Sequence, residues 1–140
     1  MNIDDKVYVF DTSALFTFIE DEDGAEEIER LLVAAEKGDV DIHVSFISLT
    51  EVFYITLRER GEAEALDRIR LIQSLAVKIQ ESDENLNVMA GTIKAKHRIS
   101  LADTYVAALA QYHQATLIHK DPEFEKLIPL IKEYRLPYKV

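Results

Sequence analysis

Short apolar runs alternate with segments of helical periodicity along this chain, and this alternation restricts the possible folds more than any other feature. Runs rich in β-branched and aromatic residues predict four strands, at residues 6–10 (KVYVF), 41–46 (DIHVSF), 76–80 (AVKIQ) and 115–119 (ATLIH). Amphipathic periodicity predicts helices at residues 12–19, 25–37, 48–60, 62–75, 82–97 and after Ser100, with a short helix starting at Asp121-Pro122. Because strands that alternate with helices pair in parallel and are covered on both faces, we expect the α/β class. The sheet should be mostly parallel with four to five strands, the fifth at residues 136–140, where Pro137 suits an edge.

The size and composition predict a cytoplasmic protein that does not bind a membrane. A length of 140 residues suits one domain, which we expect to span residues 1–140. The sequence has no run of 18 apolar residues, and its first ten residues are acidic ahead of an apolar run, unlike a secretory signal. The absence of cysteine excludes disulfides, thiolate catalysis and cysteine-based zinc sites.

The formal net charge of −10 is unfavourable for nucleic-acid binding, but its distribution matters more than its sum. Seven of the 26 acids lie between Glu20 and Glu29 with no base among them, which is typical of a solvated helix face. Without these seven and four acids considered below, 15 acids remain against 16 bases. The rest of the surface can therefore carry a local basic patch.

The Ala-rich segment at residues 99–110 (ISLADTYVAALA) predicts a helix that packs closely against the sheet. Ser100 stands at the N-cap position, and Asp103 lies inside the first turn. The expected apolar stripe consists of Leu101, Tyr105, Ala108, Leu109 and Tyr112. An acid in such surroundings either caps the helix or takes part in chemistry.

Asp103 is one of four acids that the predicted topology brings towards the carboxyl ends of the strands, where parallel sheets bind ligands. Asp11 directly follows the first strand, and Asp121 lies two residues beyond the fourth. Glu51 lies in the first turn of the helix after the second strand. The position of Asp103 is less direct, because its helix leads into the fourth strand rather than following a strand.

Each of the four acids also has an ordinary structural interpretation. Asp11 and Asp121 stand where they would cap helices, and the other two fit the capping-box patterns Ser48-x-x-Glu51 and Ser100-x-x-Asp103. A cap contributes about 1 kcal/mol, whereas two carboxylates about 4 Å apart repel by about 4 kcal/mol at an effective dielectric constant of about 20. Gathering four acids for capping alone is therefore unfavourable, whereas Mg²⁺ or Mn²⁺, which prefer oxygen ligands, would stabilise such a cluster. A site of this kind would support hydrolysis of a phosphodiester bond.

Four segments together resemble the PIN domain family, and in particular the VapC-type toxins of prokaryotic toxin–antitoxin pairs. They are VYVFDTSAL, SLTEVFY, KAKHRISLADTYVAALA and LIHKDPEF, and the resemblance covers nearly the whole chain. It implies an α/β/α sandwich and a Mg²⁺- or Mn²⁺-dependent nuclease that cuts RNA. The catalytic, metal-binding acids would be Asp11, Glu51, Asp103 and Asp121. An antitoxin protein and a second copy of the chain, in a homodimer, are the expected protein partners.

The resemblance extends to the side chains around these acids. The hydroxyls of Thr12 and Ser13 would help to orient the site. The family commonly carries Thr or Ser two residues before its last acid, but this chain has His119 there. His119 would hydrogen-bond Asp121, contact a phosphate, or simply belong to the apolar strand.

A basic cluster just before the Ala-rich helix offers phosphate contacts for RNA. It consists of Lys94, Lys96, His97 and Arg98, and Lys120 lies beside Asp121. Such contacts would give affinity without sequence specificity. Arg58 and Arg60 form a second, weaker set. Basic residues are also favoured in the last turn of a helix, which is an equally simple interpretation of both clusters.

Two other phosphate enzymes with an acid after the first strand fit less well. A phosphatase of the haloacid dehalogenase type requires a second aspartate where this chain has Ser13. A receiver domain would use Lys120, but Asp4 and Asp5 precede the first strand and would lie at its other end. The stronger alternative is a PIN-fold module that binds a protein partner and has little or no nuclease activity. Phe16, Phe18, Phe53 and Tyr54 would serve such contacts if they are exposed.

Overall fold

A parallel five-stranded sheet forms the centre of the molecule. The computed structural model describes residues 5–139, so Asp4 and Val140 lie outside the described residues. The strands are β1 (Val7–Phe10), β2 (Asp41–Ser45), β3 (Lys78–Gln80), β4 (Thr116–His119) and β5 (Lys132–Arg135). Their order is β3-β2-β1-β4-β5, and every neighbouring pair is parallel. The predicted α/β class is therefore confirmed.

Helices cover both faces of the sheet and give three layers. They are α1 (Thr12–Ile19), α2 (Ala25–Glu36), α3 (Phe46–Arg60), α4 (Glu62–Ser74), α5 (Glu84–Lys96) and α6 (Leu101–His113), followed by a 3-10 helix (Pro122–Leu127). One core lies between the sheet and α5, α6 and the 3-10 helix, and the other lies between the sheet and α1 to α4. Within residues 5–139, no helix combines the length and apolar character needed to cross a membrane.

The central strand β1 contributes to both cores because its side chains alternate between the two faces. Val9 packs with the α5–α6 side, while Tyr8 and Phe10 pack with the other side, and all three are fully buried. Phe10 is in register with Ile118 of β4. The carboxyl ends of β1 and β4 therefore lie side by side, and this arrangement positions the site described below.

Some local predictions were wrong. The last strand is β5 rather than residues 136–140, and it precedes the buried Leu136, whose N–H donates to the carbonyl of His119 over 2.8 Å. In α6, Leu101 and Tyr112 are 60% and 47% exposed. The buried face of α6 instead consists of Asp103, Thr104, Val106, Ala107, Ala108, Leu109 and Ala110. The small alanines, rather than the large residues at either end, allow this helix to approach the sheet.

Two helix starts also differ from the prediction. Ser45 rather than Ser48 caps α3 by accepting a hydrogen bond from the Ile47 N–H, because the helix begins directly at the end of β2. The helix predicted from residue 82 begins at Glu84, because Asp83 caps α5 by accepting from the Leu86 N–H at 2.9 Å. Ser48 and Glu51 therefore do not form the predicted capping box. Both lie within α3 rather than at its start, and their side chains can contact other elements.

Candidate metal centre

Asp11 stands at the carboxyl end of β1, where its backbone N–H donates to the Ile118 carbonyl at 3.0 Å. Its Oδ2 caps α1 by accepting from the Ser13 N–H at 3.0 Å and from the Ser13 hydroxyl at 2.5 Å. The Ser13 Oγ in turn accepts from the Lys120 N–H at 2.8 Å, just beyond β4. Ser13 thus ties the ends of the two central strands together and fixes one oxygen of Asp11.

The second carboxylate oxygen of Asp11 lacks a hydrogen bond within residues 5–139. Oδ1 is buried and has no hydrogen-bond partner among the described residues. Burial raises the pKa of Asp11 to about 6, with smaller contributions from the charges of Glu51 and Asp121, although the hydrogen bonds from Ser13 oppose the rise. A buried, unpartnered carboxylate oxygen is costly, and a cation beside it would remove the cost.

Glu51 reaches the same region from α3. Its Oε1 accepts a hydrogen bond of 2.6 Å from the hydroxyl of Thr12, the residue after Asp11. The Oγ of the fully buried Ser48 lies 3.0 Å from the same Thr12 hydroxyl. Since Thr12 carries one hydroxyl proton, donation to the charged Glu51 leaves Ser48 to donate to Thr12. Ser48 was predicted as a cap, but it belongs to the polar contacts that hold Glu51 near Asp11.

Asp103 lies in the first turn of α6, where its N–H donates to the Ser100 Oγ at 3.1 Å, so the predicted N-cap is confirmed. The Asp103 side chain is itself nearly buried. Burial, together with the charges of Asp11, Asp121 and Glu51, raises the pKa of Asp103 to about 7, although the hydrogen bond with Ser100 opposes the rise. Asp103 is therefore close enough to the other three acids to be repelled by each of them.

Asp121 follows β4 and caps the 3-10 helix, as predicted, by accepting from the Glu123 N–H at 3.0 Å through Oδ1. Its own N–H donates to the Nδ1 of His119 at 3.0 Å. His119 therefore hydrogen-bonds the backbone of Asp121, which is the first of the three interpretations that the sequence left open.

The four acids form one electrostatic group, but their side chains are not gathered around a point. No group of three or more His, Asp or Glu side chains within residues 5–139 is arranged to hold a metal ion as it stands. Oxygens of Asp11, Glu51 and Asp121 instead face the nearby donors already described. An all-oxygen donor set with one buried unpartnered oxygen nevertheless fits a hard divalent cation.

The basic residues near the site differ in how available they are. The Lys120 side chain is only 5% exposed, and its ammonium donates to the Asp23 carbonyl at 2.8 Å and approaches Glu22 at 3.5 Å. Lys120 is therefore not part of an exposed basic surface, contrary to its predicted role as a phosphate contact. Lys94 donates to the Ile99 carbonyl at 2.6 Å and thus closes the end of α5.

Exposed basic groups remain beside the start of α6. Lys96 and Arg98 are exposed, and His97, the C-cap of α5, is half-buried. Lys126, which the sequence reasoning missed, joins them because its ammonium donates to the Arg98 carbonyl at 3.3 Å and to Glu123 at 2.8 Å. In the sequence, only its position five residues after Asp121 indicates that Lys126 lies near the site.

Comparison with known proteins identifies the fold. The PIN domain family matches residues 8–128 of the chain. No curated protein gave a significant match.

Several solved structures share the fold at low sequence identity. VapBC2 from Rickettsia felis, bound to a promoter DNA fragment, has a TM-score of 0.76 at 18% identity, covering 94% of this chain and 99% of that one. DNA-bound VapBC from Salmonella typhimurium has a TM-score of 0.74 at 19% identity, covering 93% and 98%. VapC20 from Mycobacterium tuberculosis, a toxin that cleaves the sarcin-ricin loop, has a TM-score of 0.68 at 17% identity, covering 88% and 95%. At these identities the likeness concerns the fold alone.

Proposed function

We propose that this chain, which belongs to the PIN domain family, is a divalent-metal-dependent endoribonuclease and the toxin of a VapBC-type toxin–antitoxin pair. Members of the family are generally nucleases. The observation that carries the proposal is the burial of Asp11 and Asp103 beside two further acids, which raises the pKa of both carboxyl groups. Perturbed carboxyl groups of this kind are typical of functional sites.

In this proposal Asp11, Glu51, Asp103 and Asp121 would hold Mg²⁺ or Mn²⁺. When bound, such a cation would polarise a phosphate and lower the pKa of a bound water. Ser13 fixes one oxygen of Asp11 and leaves the other, Oδ1, free to bind. Thr12 orients Glu51 in the same way by donating to Oε1. The chain thus supplies oriented oxygens, and the excess negative charge supplies the affinity for a cation.

RNA would reach the site along its basic side. Lys96 and Arg98 are exposed next to the start of α6, and Lys126 lies against Arg98. These side chains would contact phosphates, which position a substrate without reading its sequence.

The expected protein partner is an antitoxin. The neighbours from Rickettsia felis and Salmonella typhimurium are VapBC assemblies, and another from Neisseria gonorrhoeae is the FitAcB complex. A homodimer, a single domain over residues 1–140 and a cytoplasmic location remain predictions from the sequence. The test for the antitoxin is co-expression with a small adjacent reading frame, followed by co-purification and loss of toxicity.

A binding module without nuclease activity is the second candidate. It is favoured by one observation, that no group of acids in the described part of the chain is arranged to hold a metal ion as it stands. Phe16 and Phe18 are partly buried and pack against the core, so they support this alternative less than Tyr54, which is 38% exposed.

RNA cleavage with added Mg²⁺ or Mn²⁺ separates the two candidates. The wild type should cleave, and Asp103→Asn should lose at least about 100-fold in rate. Asp83→Asn is the matched control, because Asp83 is an exposed acid that only caps α5, and it should keep the wild-type rate. Equal cleavage by the wild type and Asp103→Asn contradicts the site assignment. Absence of cleavage and of metal binding in the wild type favours the binding module.

A further inference from the structure

His119 connects the edge strand β5 to the proposed metal centre. We propose that His119 positions Asp121 by accepting its backbone N–H at Nδ1, and that Glu133 of β5 holds the imidazole in place through Nε2. The inference rests on the proposed function, because it concerns how one of the proposed ligands is oriented.

The hydrogen bonds of His119 fix its tautomer. The side chain is fully buried, and its Nδ1 accepts from the Asp121 N–H at 3.0 Å. A ring nitrogen that accepts a hydrogen bond carries no proton, so the proton of the neutral imidazole lies on Nε2. Nε2 faces the carboxylate of Glu133, to which it is hydrogen-bonded. The imidazole therefore has one acceptor and one donor, and both are used.

Glu133 is itself held on the edge strand. Its side chain is 9% exposed, and its Oε1 accepts from the Nε of Arg135 at 2.6 Å. The His119 carbonyl also accepts from the Leu136 N–H at 2.8 Å, and the ring lies 5.1 Å from that of Phe124. Backbone pairing, a side-chain hydrogen bond and ring packing thus restrain His119 from three sides. Glu133 lies beyond the span of residues 8–128 that the PIN domain family matches.

The contact with Asp121 has the geometry of a familiar turn. A side-chain acceptor that receives the N–H two residues later is what Asn, Asp, Ser and Thr provide in tight turns. Asp121 repeats the pattern by accepting from the Glu123 N–H. An imidazole Nδ1 can therefore replace the hydroxyl of the Thr or Ser that commonly stands at this position in the family. Two successive turns then set the direction of the Asp121 carboxylate.

The test compares two variants of equal shape, His119→Thr and His119→Val. Both remove the ring, leave the same cavity and lose the same hydrogen bond to Glu133, but only Thr keeps an acceptor for the Asp121 N–H. Calorimetric titration with Mn²⁺ should give an affinity for His119→Thr within about 3-fold of the wild type. His119→Val should bind about 10-fold more weakly, because loss of a partner that orients a ligand commonly costs that much. Similar melting temperatures of the two variants would show that folding does not explain the difference.

A second measurement uses the metal-free wild type. The ring ¹⁵N chemical shifts of His119 should be those of a neutral imidazole protonated at Nε2. A proton on Nδ1, or equal Mn²⁺ affinity of the Thr and Val variants, overturns the inference and leaves the proposed function standing. Absence of Mn²⁺ binding and RNA cleavage in the wild type overturns the proposed function instead, and the ring shifts still decide the tautomer of His119.

Discussion

Two clusters of buried charge in this molecule are built in opposite ways. Between α3 and α4, Arg68 is 7% exposed, and its guanidinium donates to Glu20 at 3.2 Å, to Thr56 at 3.3 Å and to Glu64 at 3.5 Å. Opposite charges meet there, and the buried group is satisfied. At the carboxyl end of the sheet, Asp11 and Asp103 are equally buried but are surrounded by like charges.

The difference distinguishes a structural cluster from a functional one. A buried charge that is paired and hydrogen-bonded belongs to the stability of the fold. A buried carboxylate that is repelled by its neighbours lowers stability, and such local conflicts are expected where a protein has a function to perform. Removing an acid from the acidic cluster should therefore reduce activity without lowering stability. Removing Arg68 should lower stability without reducing activity.

The largest expected effect is on catalysis. Asp11→Asn should reduce metal-dependent RNA cleavage by at least about 100-fold, because it removes the charge of the most buried of the four acids. Its amide can still accept from Ser13, so α1 should keep its cap. Cleavage assays measure the rate, and circular dichroism of the same samples shows whether the variant is folded. A folded variant with wild-type activity would show that the acidic cluster is not the reaction centre.

The Arg68 cluster should respond in the opposite sense. Arg68→Met should lower the free energy of unfolding by about 1–2 kcal/mol, a modest figure because Glu20 and Glu64 are partly in contact with water. Cleavage per folded molecule should stay at the wild-type level. Urea unfolding monitored by circular dichroism gives the free energy of unfolding. A loss of cleavage in fully folded Arg68→Met would remove the proposed distinction between the two clusters.

The smallest effect concerns the pH dependence of stability without metal. The pKa of Asp11 is raised to about 6 and that of Asp103 to about 7, whereas both ionise near their ordinary value of 3.8 in the unfolded chain. Between these values the folded state binds more protons, so the contribution of the two acids to stability is lost as pH rises from about 4 to about 7. Asp103→Asn should flatten this fall between pH 5 and pH 8, because the raised pKa of Asp103 lies within that range. Urea unfolding of both proteins across this pH range measures the slope.

Arg68→Met is the control for this pH experiment, because it leaves the acidic cluster intact. Its free energy of unfolding should fall with pH as steeply as that of the wild type but should be lower at every pH. A slope that is steeper in Asp103→Asn than in the wild type would mean that the acids are stabilised as charges, contrary to the raised pKa values.

The sequence was sufficient for the fold class and for placing Asp11 and Asp121 just beyond strands, because both depend on short-range order. Strand ends and helix starts determine that Asp11 and Asp121 each follow a strand, whereas the pairing of β1 with β4 is seen only in the structure. Ser45 was missed as the cap of α3 because Phe46 and Ile47 continue the apolar character of β2. No local pattern marks a helix that starts without a loop.

Contacts between distant segments were beyond local patterns. The His119–Glu133 hydrogen bond depends on the position of β5, which the sequence placed four residues too late. Lys120 was predicted on the surface because it is charged and adjacent to Asp121. The structure turns it towards Glu22 and Asp23, in the acidic segment that seemed only solvated.

The most direct test of the central claim is the melting temperature of the wild type and Asp103→Asn at pH 8, each with and without Mn²⁺. Without metal, Asp103→Asn should melt at a higher temperature than the wild type, because one repelling charge is gone. Mn²⁺ should raise the melting temperature of the wild type, since a ligand that binds only the folded state stabilises it, and should raise that of the variant much less. A wild-type melting temperature that Mn²⁺ leaves unchanged, together with a lower melting temperature for Asp103→Asn, would show that the acidic cluster does not bind a metal and is not strained by like charges.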